Sequence, residues 1–118
     1  MTAQIAIKRV YEEPRAADGI RILVDRLWPR GLSKEKARID LWVKDLAPGN
    51  ELRKWYSHDP AKWEEFKKRY FAELEGHAEE VNKLAAMVSK GRVTFLYSSK
   101  EDKLNNAHAL KLYLEKRR

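Results

Sequence analysis

Apolar positions change their spacing several times along this chain, and each change marks an element. Residues 5–10 form a short β-branched run that reads as a first strand. Residues 20–27 read as a second, with the unbroken apolar core Ile22-Leu23-Val24 expected of a strand covered on both faces. The polar stretch between them, residues 12–19, holds the turn formers Pro14, Asp18 and Gly19. Ser33 is suited to cap a short helix over residues 34–38. Ile39, Leu41 and Val43 then alternate with Asp40, Trp42 and Lys44, the period of two of a partly buried third strand.

Pro48-Gly49-Asn50 is a turn, followed by a short helix over residues 51–56. Asp59-Pro60 marks the next helix start, because Asp can cap and Pro lacks an N–H that the first turn would leave unpaired anyway. Trp63, Phe66, Tyr70 and Leu74 recur at helical spacing over residues 60–75, and Gly76 interrupts them. Val81, Leu84, Ala85 and Val88 define another amphipathic helix, closed by Gly91. Residues 93–97 are a continuously apolar fourth strand, and a last helix runs over residues 104–116 with Ala107, Leu110 and Leu114 inward.

The order β, β, α, β, α, α, α, β, α predicts an α/β fold: a small, mainly parallel four-stranded sheet flanked by helices, in a single domain. The link between the first two strands is too short for a helical crossover. Those strands therefore either pair antiparallel or are joined by an irregular crossing.

Composition narrows the function. The 118 residues are the size of one domain. No apolar run approaches the roughly 18 residues of a membrane span, and residues 1–9 lack the apolar stretch of a secretory signal. A cytoplasmic protein with no membrane partner is expected. The absence of cysteine excludes disulfides, thiolate nucleophiles and cysteine-ligated zinc. With 25 Lys and Arg against 18 Asp and Glu, the net charge of +7 favours anionic partners. Much of that charge lies in mixed-sign helical runs such as residues 62–69, which are ordinarily solvated faces.

The richest stretch for chemistry is Val24-Asp25-Arg26-Leu27-Trp28-Pro29-Arg30-Gly31-Leu32, where an apolar strand ends in a Trp-Pro-Arg-Gly turn. Ligands of open α/β sheets bind at the carboxyl ends of strands. There the second strand supplies Asp25, Arg26, Trp28 and Arg30, the third Lys44 and Asp45, and the fourth Tyr97, Ser98, Ser99 and Lys100; Asn105 and Asn106 open the last helix and His108 lies one turn inside it. If parallel, the strands bring these groups to one crevice. Arg26 and Arg30 suit bidentate recognition of phosphate or carboxylate, with Lys44, Ser98, Ser99 and Asn105 as further anion-binding groups and Trp28 and Tyr97 as stacking walls. Asp25 and His108 are the candidate proton carriers. Each has a plainer role open to it: Asp25 pairing internally with Arg26 or Arg30, Trp28 packing on Pro29, Ser98 and Ser99 serving the turn, His108 exposed on its helix.

Neither G-x-x-x-x-G-K-[ST] nor G-x-G-x-x-G occurs, which argues against a P-loop nucleotidase or a standard dinucleotide domain, and no cofactor is implied. His58, His77 and His108 are too dispersed for a local metal motif, and His58 reads as finishing the turn before Asp59.

The same strings carry a resemblance. Residues 8–11 (Lys-Arg-Val-Tyr), 24–34 around Asp-Arg-Leu-Trp-Pro-Arg-Gly, 41–48 (Leu-Trp-Val-Lys-Asp-Leu-Ala-Pro), 52–60 ending in Ser-His-Asp-Pro, and 94–100 ahead of Asn105-Asn106-Ala107 resemble the YeaO-like family of bacterial proteins, a branch of a larger family of unknown function. The likeness spans nearly the whole chain and implies a compact α/β domain. It draws further attention to Asp45, Trp55, His58, Asp59 and Pro60 but implies no activity. Many relatives carry His at the position of Leu104, and some at that of Asn106; more distant branches carry Cys-His-Arg where this chain has Asn105-Asn106-Ala107. Thiol chemistry is therefore not implied here. Some members are labelled transcription regulators, but the junction around Gly76 carries Glu73, Glu75, Glu79 and Glu80, a poor surface for a phosphate backbone.

These observations predict a protein that binds a phosphate- or carboxylate-bearing small molecule in a cationic crevice, as a binder or an enzyme. The alternative is a nucleic-acid module using Arg53, Lys54, Lys67, Lys68, Arg69, Arg117 and Arg118. A third reading is a scaffold docking a partner on the Trp-Pro turn. The sequence sets no oligomeric state.

Overall fold

A computed structural model describes residues 5–117; Arg118, named above, lies outside them, as do residues 1–4. Four strands, β1 (Ile5–Arg9), β2 (Ile20–Leu23), β3 (Leu41–Trp42) and β4 (Val93–Tyr97), form one sheet in the order β1-β4-β2-β3. Every pairing is parallel: Ile7 lies opposite Phe95, Ile22 opposite both Phe95 and Leu41. β1 and β2 thus never pair. They flank β4, and the chain crosses between them irregularly through a 3-10 turn at Ala16–Asp18.

That crossing is tight at Gly19. Its φ of +66° lies in the left-handed region, and a Cβ there would sit 2.2 Å from the Arg92 carbonyl oxygen. Glycine alone fits, and its neighbour Ile20 donates to the same carbonyl (3.1 Å) to begin the β2–β4 ladder.

Alternation along the strands divides the residues between two faces. Ile5, Ile22, Val93, Phe95 and Tyr97 face the main core, under α2 (Asn50–Tyr56), α3 (Trp63–Glu75), α4 (Ala78–Lys90) and α5 (Asn106–Lys116). Leu23, Leu96 and Val10 face a smaller cluster beneath Trp28, Leu32, Ile39 and Trp42, beside α1 (Lys34–Ala37). Tyr56 stacks on Phe66 at 4.2 Å in the main core, and the Tyr70 hydroxyl donates to the Leu46 carbonyl, tying α3 to the segment after β3.

The predicted caps form: Ser33 accepts from the Lys36 N–H and Asp59 from the Ala61 N–H. Several boundaries move, among them the start of α3, which a 3-10 turn at Pro60–Lys62 precedes. β2 stops at Leu23 because the chain bends at Asp25, whose carboxylate takes up the Ser98 N–H. β3 shrinks to two residues, since Arg38 leaves α1 in a left-handed conformation (φ +49°) and Lys44–Leu46 is already a 3-10 turn. The last helix starts at Asn106, with Asn105 as its cap. Among the described residues no helix is long and apolar enough to cross a membrane.

Candidate functional site

The chain segments leaving β1, β2 and β4 meet α2 and the first turn of α5 around a cleft of about 600 Å³. Arg9 and Tyr11 come from the exit of β1, Asp25 through Arg30 from that of β2, Ser98 and Ser99 from that of β4, Arg53 and Lys54 from α2, and Asn106 from α5.

One carboxylate organises the floor. Asp25 Oδ2 accepts from the Ser98 N–H and the Ser98 hydroxyl, both at 2.8 Å, and Oδ1 accepts from the Asn106 amide at 3.0 Å. The Asp25 carbonyl also receives the Trp42 indole N–H at 2.7 Å. Asp25 therefore pairs with neither Arg26 nor Arg30; it binds the exits of β2 and β4 and the start of α5 into one unit. The Ser98 donors expected to cradle an external anion already hold this internal one.

Five cations line the same cleft: Arg9, Arg26, Arg30, Arg53 and Lys54. Among the described residues none of them has a carboxylate within ion-pair distance. Two are anchored by neutral carbonyls. Arg9 Nε donates to the Ser98 and Ser99 carbonyls (3.2 and 2.9 Å), and its two terminal nitrogens have no hydrogen bond among the described residues. Arg26 reaches the Pro48 and Ala47 carbonyls at 3.3 and 3.4 Å.

The rim carries backbone strain. Ser57 and His58, consecutive non-glycine residues, both have left-handed φ (+48° and +57°) where the chain turns from α2 toward α3. Such conformations cost roughly 1–2 kcal/mol each and gather at functional sites. His58 thus lines the cleft rather than merely finishing a turn, with its ring edge-on to Tyr56. Burial above all, with the nearby Glu101 and Asp59 charges, pushes the Tyr56 hydroxyl up to about 12, and it donates to the Leu104 carbonyl at 2.6 Å.

Of the residues singled out from sequence, Asp25, Arg26, Trp28, Arg30, Ser98, Ser99 and Asn106 meet here. Six do not. Asp45 and Lys100 are exposed and do not line the cleft. Lys44 is exposed elsewhere, with its ammonium 5.2 Å from the Trp42 ring centre. Tyr97 is buried in the main core, because it shares the parity of Val93 and Phe95. Asn105 is fully buried and spends its side chain on the Glu101 carbonyl and the His108 N–H. His108 lies outside the cleft; its Nε2 donates to the Asp102 carbonyl at 3.0 Å, and burial lowers its pKa. Trp28 is at the cleft, but its indole N–H is taken by the Leu32 carbonyl (2.6 Å) and its ring packs edge-on against Trp42.

Arg9, Tyr11, Arg53 and Lys54 were not assigned to the crevice from sequence. Their convergence depends on strand order and on the docking of α2, which local patterns do not encode. A pointer existed for Arg9 and Tyr11, which sit in the Lys-Arg-Val-Tyr string.

The sequence model of a family described as "Inactive DUF488-N3 subclade" matches residues 4–118. The chain belongs to this family. The chain is 42% identical over 106 residues to the uncharacterised protein YeaO of Escherichia coli (strain K12), covering 90% of this chain and 92% of that protein. It is also 47% identical over 75 residues to uncharacterised proteins of Mycobacterium bovis and Mycobacterium tuberculosis, 64% of either chain in each case. No solved structure gives a significant match.

Proposed function

We propose that the cleft binds a small ligand bearing phosphate or carboxylate, and that the protein acts by binding rather than turnover. The observation that carries this reading is the set of unneutralised cations: five positive side chains surround one carboxylate whose oxygens are already hydrogen-bonded to neutral donors. Like charges gathered in a concave, partly dry site raise the local potential and attract counter-ions. Arg30, Arg53 and Lys54 have no side-chain hydrogen bond among the described residues and are available to a ligand. Arg9 and Arg26, already held by carbonyls, are pre-oriented.

The description of the family as an inactive subclade supports a binding role. So does the placement of the two expected proton carriers: Asp25 is committed to the floor and His108 lies outside the cleft. The nucleic-acid surface on α3 draws less support, because Lys67 and Arg69 pair with Glu64 and Glu65.

Thermal melting in inorganic phosphate tests the reading. Phosphate at 100 times its Kd stabilises the fold by about 2.7 kcal/mol and raises Tm accordingly. The double variant Arg30→Ala/Arg53→Ala loses most of that gain. A shift of equal size in wild type and double variant would sink the proposal.

A further inference from the structure

The cleft is not uniformly charged. Four large apolar side chains stand well exposed among the described residues, Tyr11 (41%), Ile20, Leu27 (63%) and Leu112, and two of them, Tyr11 and Leu27, line this one cleft. Scattered exposed apolar groups need no explanation, but two beside a cluster of cations form a mixed surface.

Tyr11 is also held in place. Its hydroxyl donates to the Arg30 carbonyl at 2.8 Å, and the Arg9 guanidinium carbon lies 4.7 Å from the ring centre. The ring is fixed at both ends, by its own backbone and by Arg30, and one of its faces holds the Arg9 cation. Tyr97 is buried and Trp28 is packed against Trp42, which leaves Tyr11 as the aromatic ring best exposed at the cleft.

Resting on the anion-binding reading above, we infer that the ligand is a nucleoside phosphate, with its base stacked on Tyr11 beside Leu27 and its phosphate among Arg26, Arg30 and Arg53. A planar, largely apolar base joined to a dianion matches a rigid aromatic platform joined to unneutralised guanidinium groups. The volume of about 600 Å³ lies within the range of small-molecule sites. The same unit occurs free or at the 5′ end of a single strand, and the chemistry recognised is shared.

Calorimetric titration at low salt with AMP, inorganic phosphate and a 5′-phosphorylated oligodeoxyadenylate tests this. AMP binds at least about tenfold tighter than phosphate, the gain expected from stacking one base on an aromatic ring. Tyr11→Ala reduces that ratio to about twofold or less, whereas Tyr11→Phe, which keeps the ring and drops the hydroxyl, preserves most of it; melting curves establish that both variants fold. An oligonucleotide that binds like AMP marks a free nucleotide as the ligand, and one that binds tighter with a steeper salt dependence marks a strand end; either result upholds the stacking role if Tyr11→Ala weakens it. Phosphate binding with no AMP advantage, or an advantage that survives Tyr11→Ala, overturns the inference and leaves the anion site standing. Absence of both phosphate and AMP binding overturns the two together.

Discussion

Asp18 and Asp25 stand at opposite ends of β2, and the protein treats their surroundings in opposite ways. Asp18, just before the strand, is buried and ion-paired with Arg21 at 2.6 Å and Lys8 at 3.1 Å. Arg21 is itself buried, and its remaining donors reach the Ala37 and Arg38 carbonyls. Burial pushes the Asp18 carboxyl up, but the Arg15 N–H and the Lys8 and Arg21 side chains outweigh it and hold the group below its ordinary value. Asp25, just after the strand, has cations lining its cleft, yet its carboxylate accepts only from Ser98 and Asn106 among the described residues. At the first end the carboxylate and the buried arginine neutralise each other directly within the fold; at the second end the cations have no carboxylate partner among the described residues. A buried pair marks a structural device, and the unpartnered cations of a concave surface are what the proposed binding role rests on.

The sharpest way to break this contrast is to unbalance the first end. Asp18→Asn leaves Arg21 buried without its counter-charge and lowers stability by about 3–5 kcal/mol in denaturant unfolding. Because the folded pKa of Asp18 is depressed, the stability it supplies is fully present above the ordinary value of 3.8 and is lost as pH falls through the lower folded value. The variant lacks that acid-side loss. A cost under about 1 kcal/mol would show that the pair is dispensable and the contrast empty.

The matching change at the second end is nearly silent. Arg30→Ala/Arg53→Ala, measured without added anion, alters stability by no more than about 0.5 kcal/mol, since it deletes no internal partner and relieves like-charge repulsion. Strong destabilisation by this double variant would mean that the arginines are structural after all.

The smallest effect comes from His108, half-buried beside the cleft region but not in it. Its folded pKa lies below the ordinary 6.5, chiefly through burial, so the unfolded chain binds the proton more readily. Stability is therefore undiminished above 6.5 and declines slightly as pH drops from 6.5 through the folded value. His108→Gln removes that slope in urea titrations at pH 5 to 7. Retention of the full slope in the variant would show that another group carries it.

The fold was largely legible because it rests on local signals. The continuously apolar run of β4 marks a strand with neighbours on both sides, and Ser33, Asp59 and Gly76 mark helix ends. The site was half legible. Arg26 and Arg30 follow an apolar strand directly, so the general rule for strand ends finds them. Tyr97 misled because strand parity turns it into the core. Asn105 and Asn106 show how narrow the margin is: the first caps the helix out of sight, and its neighbour reaches the cleft floor and Asp25. Arg53 and Lys54 were named only as surface charge, because nothing local reveals which side of α2 meets the sheet.

The knot at Asp25 has one more consequence. Because a single carboxyl group fastens two strand exits and the last helix, the base of the hollow cannot widen or shear without breaking several hydrogen bonds at once. On the binding role proposed above, a guest meets a receptor already in shape, so its entry is set by diffusion and the attraction of opposite charge, with no slow rearrangement of the main chain to wait for.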